Sequence, residues 1–190
     1  MAPTSPPTPS ARVARTDLLP GAPPADTLSN GRNALLGYRA VETGGGRSRV
    51  EWTPTPAVAN PVGQVHGGFL GVIVDDVSGM AFASLLGEFL VFPTASMQLE
   101  FHRPILIGET VECRGTVVRA GRRLVVVDTV VVGPEGKLRA RGTATFAADL
   151  DGVTGPDGTP LAGFTALDPS HELDPIDPTV RRGTHGHLHP

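Results

Sequence analysis

The chain has 190 residues, a length that suits one domain with a sizeable hydrophobic core. Its formal net charge at pH 7 is -3 and no stretch concentrates basic residues, so nucleic acid is not expected as a partner. Cys113 is the only cysteine, which excludes an intrachain disulfide and predicts a reducing, cytoplasmic compartment.

Residues 1–29 combine many prolines with alanine, serine and threonine, and they contain no periodic apolar face. A segment of this composition cannot bury enough apolar surface to fold. It also lacks the apolar h-region of a secretory signal. We therefore expect a disordered, proline-rich N-terminal tail.

Order is expected from residue 30 onwards, over one domain of residues 30–149. A short helix is predicted over residues 30–36, with Asn30 as its cap. The runs at 38–43 and 47–53 are strand-like, and the three glycines between them indicate a hairpin connection.

The longest apolar run begins at His66-Gly67-Gly68 and extends to Leu86, which is a helical length. Gly87 follows as a favoured stop residue. Asp75 and Asp76 interrupt the run, which argues against a membrane span. Ionised carboxylates are almost never fully buried without partners, so a compensating interaction is expected here.

A helical wheel divides this run into two faces. One face is broad and apolar, and we expect it to pack on the chain's own sheet. The opposite face is a narrow stripe of small residues and one carboxylate, namely Gly68, Gly71, Asp75 and Gly79. Because small residues permit close approach, we expect this stripe to meet a partner subunit or a substrate. Asp76 projects to the flank.

Four β-rich runs follow the helix, at residues 90–101, 110–120, 123–132 and 137–148. Valine and threonine dominate them, as strands prefer. The order of two strands, one long helix and four strands predicts an α+β fold, with an antiparallel sheet curled around the helix.

Glycine, proline and aspartate dominate residues 150–190, which predicts a largely disordered C-terminal tail. Its end carries His185, His187 and His189, and a short His-rich tract can bind metal. A solvated tail with incidental histidines is the favoured interpretation, so no metal site is predicted.

Asn60, His66-Gly67-Gly68 and Asp75 follow the pattern N-P-x-G-x-x-H-G-G-x6-D, ahead of an apolar helix and four strands. With this pattern the chain resembles PaaI-type hotdog-fold acyl-CoA thioesterases over about residues 30–149. The resemblance implies a sheet wrapped around one central helix, and hydrolysis of acyl-CoA without a metal or redox cofactor. It also implies a homo-oligomer, a dimer or a homotetramer, with active sites at the interface between paired subunits.

The resemblance further implies roles for single residues of the helix. Asp75 corresponds to the catalytic carboxylate, acting as general base or nucleophile, and Asp76 beside it leaves open which of the two acts. Gly67 corresponds to the residue whose backbone N–H polarises the thioester carbonyl. Gly68 is the neighbouring residue expected at the substrate.

Outside the helix, Asn60 and His66 correspond to a polar pair at the helix entrance. Thr94 falls where related enzymes place a hydroxyl that helps to position water. Arg122 and Arg123 lie at a predicted hairpin tip, where their guanidinium groups are candidates for binding the phosphates of CoA.

The spacing of Gly67 and Asp75 has a geometric consequence of its own. They lie eight residues apart, which is roughly 12 Å along a helix. One helix therefore does not bring both groups to a small thioester, whereas two antiparallel helices from two subunits can. A helix N-terminus also offers free N–H groups and a positive dipole end, which suit a developing oxyanion.

Two alternatives use the same fold. A non-catalytic acyl-CoA-binding or regulatory protein would not need Asp75, and an enoyl-thioester hydratase would need a histidine and an acid acting together on the substrate carbons. The sequence favours hydrolysis, because its carboxylate follows a helix-entrance HGG. A nucleophile-elbow serine hydrolase is disfavoured, since no G-x-S-x-G is present.

Overall fold

A computed structural model describes residues 33–86, 90 and 92–165 of the chain. The predicted N-terminal tail, and residues 166–190 with the histidine tract, lie outside these ranges. A helical turn at 33–36 is followed by strands β1 (Tyr38–Gly44) and β2 (Arg47–Trp52), helix α1 (Gly67–Ala83), and strands β3 (Thr94–Phe101), β4 (Val111–Ala120), β5 (Leu124–Val132), β6 (Leu138–Ala147) and β7 (Phe164–Thr165).

The strands form one antiparallel sheet in the order β1-β2-β4-β5-β6-β3, and β7 pairs with the end of β4. Helix α1 contacts β1 to β6, so the sheet curls around it. This arrangement confirms the predicted α+β hotdog fold, with one long helix inside an antiparallel sheet. Among the described residues, no helix is both long and apolar enough to cross a membrane.

The apolar face of α1 forms the centre of the core, as the helical wheel predicts. Ile73, Val74 and Val77 are fully buried against the sheet. Trp52 of β2 is buried with them, and its indole N–H donates to the carbonyl oxygen of Leu36 at 2.8 Å. Removal from water of each such side chain contributes about 1.5–3 kcal/mol, so the packing of these side chains holds the helix on the sheet.

Two predicted boundaries differ from the structure. The helix ends at Ala83, where the Ser84 N–H still donates to the Met80 carbonyl at 3.1 Å. Gly87, the predicted stop, lies outside the described residues. Strand β3 begins at Thr94 and not at residue 90, because Pro93 has no N–H to donate to a ladder.

Residues 150–165, called the closing segment below, are folded, although the sequence predicts a tail from residue 150. Leu150 and Leu161 are buried in the same core cluster as Phe82, which lies at the C-terminal end of α1. The segment then adds β7 to the sheet. The expectation of disorder is therefore wrong for these residues, and their apolar side chains complete the core.

Strand β3 is an edge strand, paired with β6 on one side only. Of its eight residues, only Leu99 is not exposed. Unpaired backbone groups along such an edge are a template for another strand. The edge that flanks the stripe of α1 is therefore available for pairing.

Candidate active site

The loop before α1 is folded by Asn60. Its side-chain oxygen accepts hydrogen bonds from the N–H groups of Val62 at 3.1 Å and Gln64 at 3.0 Å. Its backbone N–H donates to the Gln64 carbonyl at 2.7 Å. The described hydrogen bonds of Asn60 thus shape the turn at the helix entrance, and none of them joins it to His66.

His66 caps the helix. Its Nδ1 accepts from the Gly68 N–H at 3.2 Å, so this nitrogen carries no proton. Its backbone N–H donates to the Val58 carbonyl at 2.9 Å, which holds the chain entering α1. His66 therefore uses the Gly68 amide, and this contact stabilises the first turn.

Gly67 is the first residue of α1 and one of the four whose amides lack an intrahelical acceptor. Among the described hydrogen bonds, none uses the Gly67 N–H. This amide sits at the positive end of the helix dipole. It is the donor that the capped entrance leaves available to a carbonyl oxygen.

Asp75 lies half-buried in the middle of α1. Its Oδ1 accepts a hydrogen bond from the Thr94 hydroxyl at 2.7 Å. Thr94 is the first residue of β3, at a bulge in the pairing of β3 with β6. The structure thus brings together two of the residues that the sequence selects as candidates.

Asp76 has a different environment. The Tyr38 hydroxyl of β1 donates to its Oδ2 at 2.8 Å. The two neighbouring carboxylates therefore point to different sides of the helix, about 100° apart, one towards β3 and one towards β1. Sequence reasoning missed Tyr38, because nothing in the local pattern links residues 38 positions apart.

The stripe of small residues on α1 faces β3 of the same chain. A Cβ placed on Gly71 would lie 3.4 Å from both Met97 and Leu99, and one on Gly67 would lie 3.2 Å from the Phe101 ring. Gly71 is buried by these contacts. The expectation that the stripe meets a partner subunit or a substrate is therefore wrong at Gly71, since the chain's own edge strand covers it.

A cleft of about 320 Å³ opens beside the first turn of α1. Its lining is mostly apolar and comprises Gln64, Val65, Gly67, Leu70, Phe101, His102, Arg103, Pro104 and Ile105. Phe101 is 61% exposed even though its ring lies against Gly67. Sequence analysis did not select Phe101, because an aromatic residue at the end of a predicted strand carries no signal of a functional role.

Arg122 and Arg123 lie in the connection from β4 to β5. Arg122 forms two hydrogen bonds with the Asp151 carboxylate, at 2.8 and 2.7 Å. This hydrogen-bonded guanidinium lowers the pKa of Asp151 below its ordinary value. Arg122 therefore has an acidic partner from the closing segment, which sequence analysis assigned to the tail.

Cys113 is fully buried in the core. Burial, with a smaller contribution from the charge of Glu112, raises the pKa of its thiol far above the ordinary range. A thiol in this state is not a nucleophile at neutral pH. The described residues also hold no group of three or more His, Cys, Asp or Glu side chains suited to a metal ion.

Comparisons with known proteins agree with this architecture. A family model described as the thioesterase superfamily matches residues 62–140. A phenylacetic acid degradation-related protein from Ralstonia eutropha JMP134 is 30% identical, with 68% of this chain and 94% of that chain covered and a TM-score of 0.58. A variant of the phenylacetic acid degradation protein PaaI from Thermus thermophilus is 26% identical, with 62% and 98% covered and a TM-score of 0.56.

A hypothetical thioesterase from Streptococcus pneumoniae TIGR4, solved with coenzyme A, shares the fold at 24% identity. That match covers 62% of this chain and 89% of that chain, with a TM-score of 0.55. No curated protein matches the chain.

An antiparallel sheet curled around one long helix, together with these matches, identifies a hotdog-fold protein of the thioesterase class. The chain belongs to the PaaI-type hotdog-fold thioesterase family.

Proposed function

We propose that the protein hydrolyses acyl-CoA thioesters to free acid and CoA. The observation that carries the proposal is the Asp75–Thr94 hydrogen bond on the same helix that presents the available Gly67 amide. Membership of the family and the binding of coenzyme A by a protein of the same fold support the choice of substrate.

In this proposal Asp75 activates a water molecule as general base, or attacks the thioester carbonyl as nucleophile. Thr94 orients the carboxylate or the water through its hydroxyl. The Gly67 N–H donates to the carbonyl oxygen, and the positive end of the helix dipole stabilises the negative charge that develops there. The thiolate of CoA leaves as the carbonyl re-forms; where Asp75 is the nucleophile, a water molecule then hydrolyses the acyl-aspartyl anhydride, which releases the free acid and restores Asp75.

The two groups cannot serve one substrate from the same chain. Gly67 and Asp75 are separated by eight residues of continuous helix, which is roughly 12 Å. We therefore place each site between two subunits, with the amide from one and the carboxylate from the other. The exposed edge of β3 supports this arrangement, because it flanks both groups.

We propose that two copies meet by pairing their β3 strands. We choose the self-pairing of β3 centred on Gln98, because it is the one that brings the two halves of the proposed site together; opposite residues of an antiparallel pair point to the same side of the sheet. Ala95 is the extra residue of the bulge, since Thr94 and Ser96 oppose neighbouring residues of β6. With Ala95 left out, Thr94 lies opposite the partner subunit's Phe101.

This register joins the two halves of the proposed site. Thr94 is hydrogen-bonded to Asp75, and Phe101 lies against Gly67 in the same chain. Pairing about Gln98 therefore brings Asp75 of one subunit beside the partner subunit's Gly67. Two equivalent sites result, as the two-fold symmetry of such a dimer requires.

Two inactive variants test the shared site. Gly67→Pro removes the proposed donor N–H at a position where proline is favoured, the first residue of a helix. His66 already has φ -69° and ψ 129°, which a following proline tolerates. Gly67→Ala is the matched control, because it adds a Cβ but keeps the N–H. Asp75→Asn removes the proposed base.

Each inactive variant alone should release thiol from acyl-CoA at least about a hundredfold more slowly than the wild type, while Gly67→Ala keeps most of its activity. Co-refolded Gly67→Pro and Asp75→Asn chains should recover about a quarter of wild-type activity, because half the dimers are mixed and each holds one intact site. No recovery from mixtures that sizing shows to be dimeric would disprove the shared site. Binding of acyl-CoA by the wild type without thiol release would instead favour the binding-protein alternative.

Arg122 and Arg123 remain proposed ligands of the CoA phosphates. Because Arg122 is engaged by Asp151, Arg123 is the arginine we expect to contribute more. Arg123→Gln should raise KM for acyl-CoA with little change in kcat, and Arg122→Gln should raise it less. Equal KM values for both variants and the wild type would remove these residues from the site.

A homotetramer built from two such dimers, and a cytoplasmic location, complete the proposal. Light scattering of the purified protein measures the first, and an active monomer at micromolar concentration would contradict it. Cell fractionation with an antibody to the protein measures the second.

A further inference from the structure

Residues 121–123 connect β4 to β5 and are called the arginine turn below. Arg122 of this turn binds the Asp151 carboxylate through its Nε and one terminal nitrogen, at 2.8 and 2.7 Å. This parallel, two-bond geometry is also the one in which a guanidinium binds a phosphate. Asp151 therefore occupies the two N–H groups of Arg122 that a phosphate would use.

The backbone around Asp151 is tied to the arginine turn. Leu150 is fully buried, and its N–H donates to the Arg122 carbonyl at 2.9 Å. The Ala148 N–H donates to the Arg123 carbonyl at 3.1 Å. Packing of Leu150 in the core thus positions the Asp151 carboxylate at the arginine turn, in addition to the attraction between the charges.

The charges at the arginine turn balance. Arg122 and Arg123 are positive, and Asp149 and Asp151 are negative. The hydrogen bond with Asp151 raises the pKa of Arg122, and the same bond lowers the pKa of Asp151, to which the charge of Arg123 also contributes. At neutral pH the Arg122–Asp151 pair is therefore ionised, and a phosphate gains the attraction of Arg122 only by displacing Asp151.

The arginine turn lies at the end of the sheet that carries Thr94. Thr94 pairs with Phe146 of β6, which pairs on its other side with Val125 of β5, two residues after Arg123. Neighbouring strands lie about 4.8 Å apart, so the two strands are separated by roughly 10 Å. Because the pantetheine arm of CoA separates the thioester from the phosphates, a basic turn at this distance from the proposed carboxylate suits a phosphate and not the acyl carbonyl.

The segment that supplies Asp151 lies beyond residues 62–140, which the thioesterase family model matches. From these contacts we infer that Asp151 competes with the phosphates of CoA for Arg122, and that it thereby sets how strongly the protein prefers CoA thioesters over thioesters without phosphate. This inference rests on the proposed function, since it assumes that the thioester binds at Asp75 with its phosphates at the arginine turn.

Kinetics on two thioesters of one acid test the competition. Phenylacetyl-CoA carries the phosphates, whereas phenylacetyl-pantetheine has the same thioester and none. Asp151→Asn should lower KM for phenylacetyl-CoA by about two- to fivefold, the scale of an exposed ion pair, with kcat unchanged. KM for phenylacetyl-pantetheine should stay at the wild-type value, because it has no group that Arg122 binds.

Two variants separate this competition from general effects. Asp157→Asn removes the same charge from another turn of the closing segment, where the carboxylate accepts the Thr159 N–H at 3.0 Å, and should change neither KM. Adding Arg122→Gln to Asp151→Asn should abolish the gain for phenylacetyl-CoA, since Arg122 is the group that Asp151 releases.

A folded Asp151→Asn with wild-type KM for phenylacetyl-CoA, or with equal changes for both thioesters, would overturn the inference. Circular dichroism verifies the fold of each variant. Asp151→Ser removes the same charge and decides between these outcomes if Asp151→Asn does not fold.

Binding measurements distinguish this outcome from a failure of the proposed function. Calorimetry with the thioethers S-phenylethyl-CoA and S-phenylethyl-pantetheine gives Kd without turnover. A wild type that releases no thiol from phenylacetyl-CoA or straight-chain acyl-CoA, while Asp151→Asn tightens binding of the CoA thioether alone, would refute hydrolysis and support the competition. Hydrolysis without such tightening would refute the competition alone, and the absence of both would refute both.

Discussion

The C-terminal half of helix α1 is enclosed by its own chain, whereas the N-terminal half faces an exposed strand and an open cleft. Around Phe82 the sheet and the closing segment form a buried cluster that includes Leu150 and Leu161. Around Gly67 an amide remains available and Phe101 is largely exposed. The closed end therefore carries much of the core packing, whereas the open end leaves the Gly67 amide and the Phe101 ring accessible.

The same contrast separates two adjacent residues. Asp75 faces the open side and is hydrogen-bonded to a hydroxyl of the edge strand. Asp76 faces β1 and accepts a hydrogen bond from Tyr38, whose ring is buried in the core. Asp75 is therefore the carboxylate we assign to the chemistry, and Asp76 the one we assign to structure.

The largest expected effect comes from replacing each of the two carboxylates in turn. Asp75→Asn should lower kcat roughly 10²–10⁴-fold, the usual scale for loss of a general base, with the dimer intact. Asp76→Asn should cost much less activity. Thiol-release kinetics, with circular dichroism and sizing as controls, measure both. A more damaging Asp76→Asn beside a nearly normal Asp75→Asn would reverse the assignment.

At the closed end we expect a large effect on stability and a small one on turnover. Leu161→Ala leaves a cavity in the core beside Phe82, which should lower the free energy of unfolding by about 2–5 kcal/mol. Denaturant titration gives this value, and kcat below the transition should match the wild type. Leu124→Ala, at a side chain 52% exposed, serves as the control and should change stability little. A stable Leu161→Ala would show that the closing segment adds nothing to the core.

A smaller effect is expected where the helix meets β1. Tyr38→Phe removes the hydrogen bond to Asp76 and should cost about 1 kcal/mol of stability, or somewhat more because the acceptor carries charge. Turnover by the folded variant should be unchanged. A tenfold loss of kcat without loss of stability would instead place Asp76 in the catalytic machinery.

The smallest effect is expected on the surface of the closing segment. Because the Arg122 hydrogen bonds lower the pKa of Asp151, its ionised form stabilises the fold above the ordinary value of 3.8, and this stabilisation is lost as pH falls through the lowered pKa. Asp151→Asn should remove this pH-dependent contribution to stability. When melting temperature is plotted against pH, the curves of Asp151→Asn and the wild type should then differ near neutral pH and meet only at acid pH. Curves that keep a constant separation would exclude the linkage.

Much of this protein can be predicted from its sequence because the signals are local. The long apolar run defines α1, runs rich in valine and threonine define the strands, and the glycines at 67 and 68 mark the helix entrance. The distance between Gly67 and Asp75 also follows from sequence, since helical rise is constant. That distance alone argues for a shared site.

The closing segment shows where composition misleads. Its glycines, prolines and aspartates are equally typical of disorder and of closely spaced turns. In the structure, the carboxylates of Asp149 and Asp157 accept hydrogen bonds from backbone N–H groups two residues further on, which folds these turns. The few apolar residues between them then reach the core, and no local periodicity in the sequence predicts this.

The sequence by itself determined the fold class, the helix, and the two groups on it that we assign to catalysis. Only the tertiary structure decided that Thr94 reaches Asp75, that Tyr38 reaches Asp76, and that Phe101 stands beside Gly67. These contacts join distant parts of the chain and depend on strand register, which a single bulged residue in β3 alters. Local propensities favour strands but do not fix their register, so the neighbours of each site residue are settled only when the sheet closes around the helix.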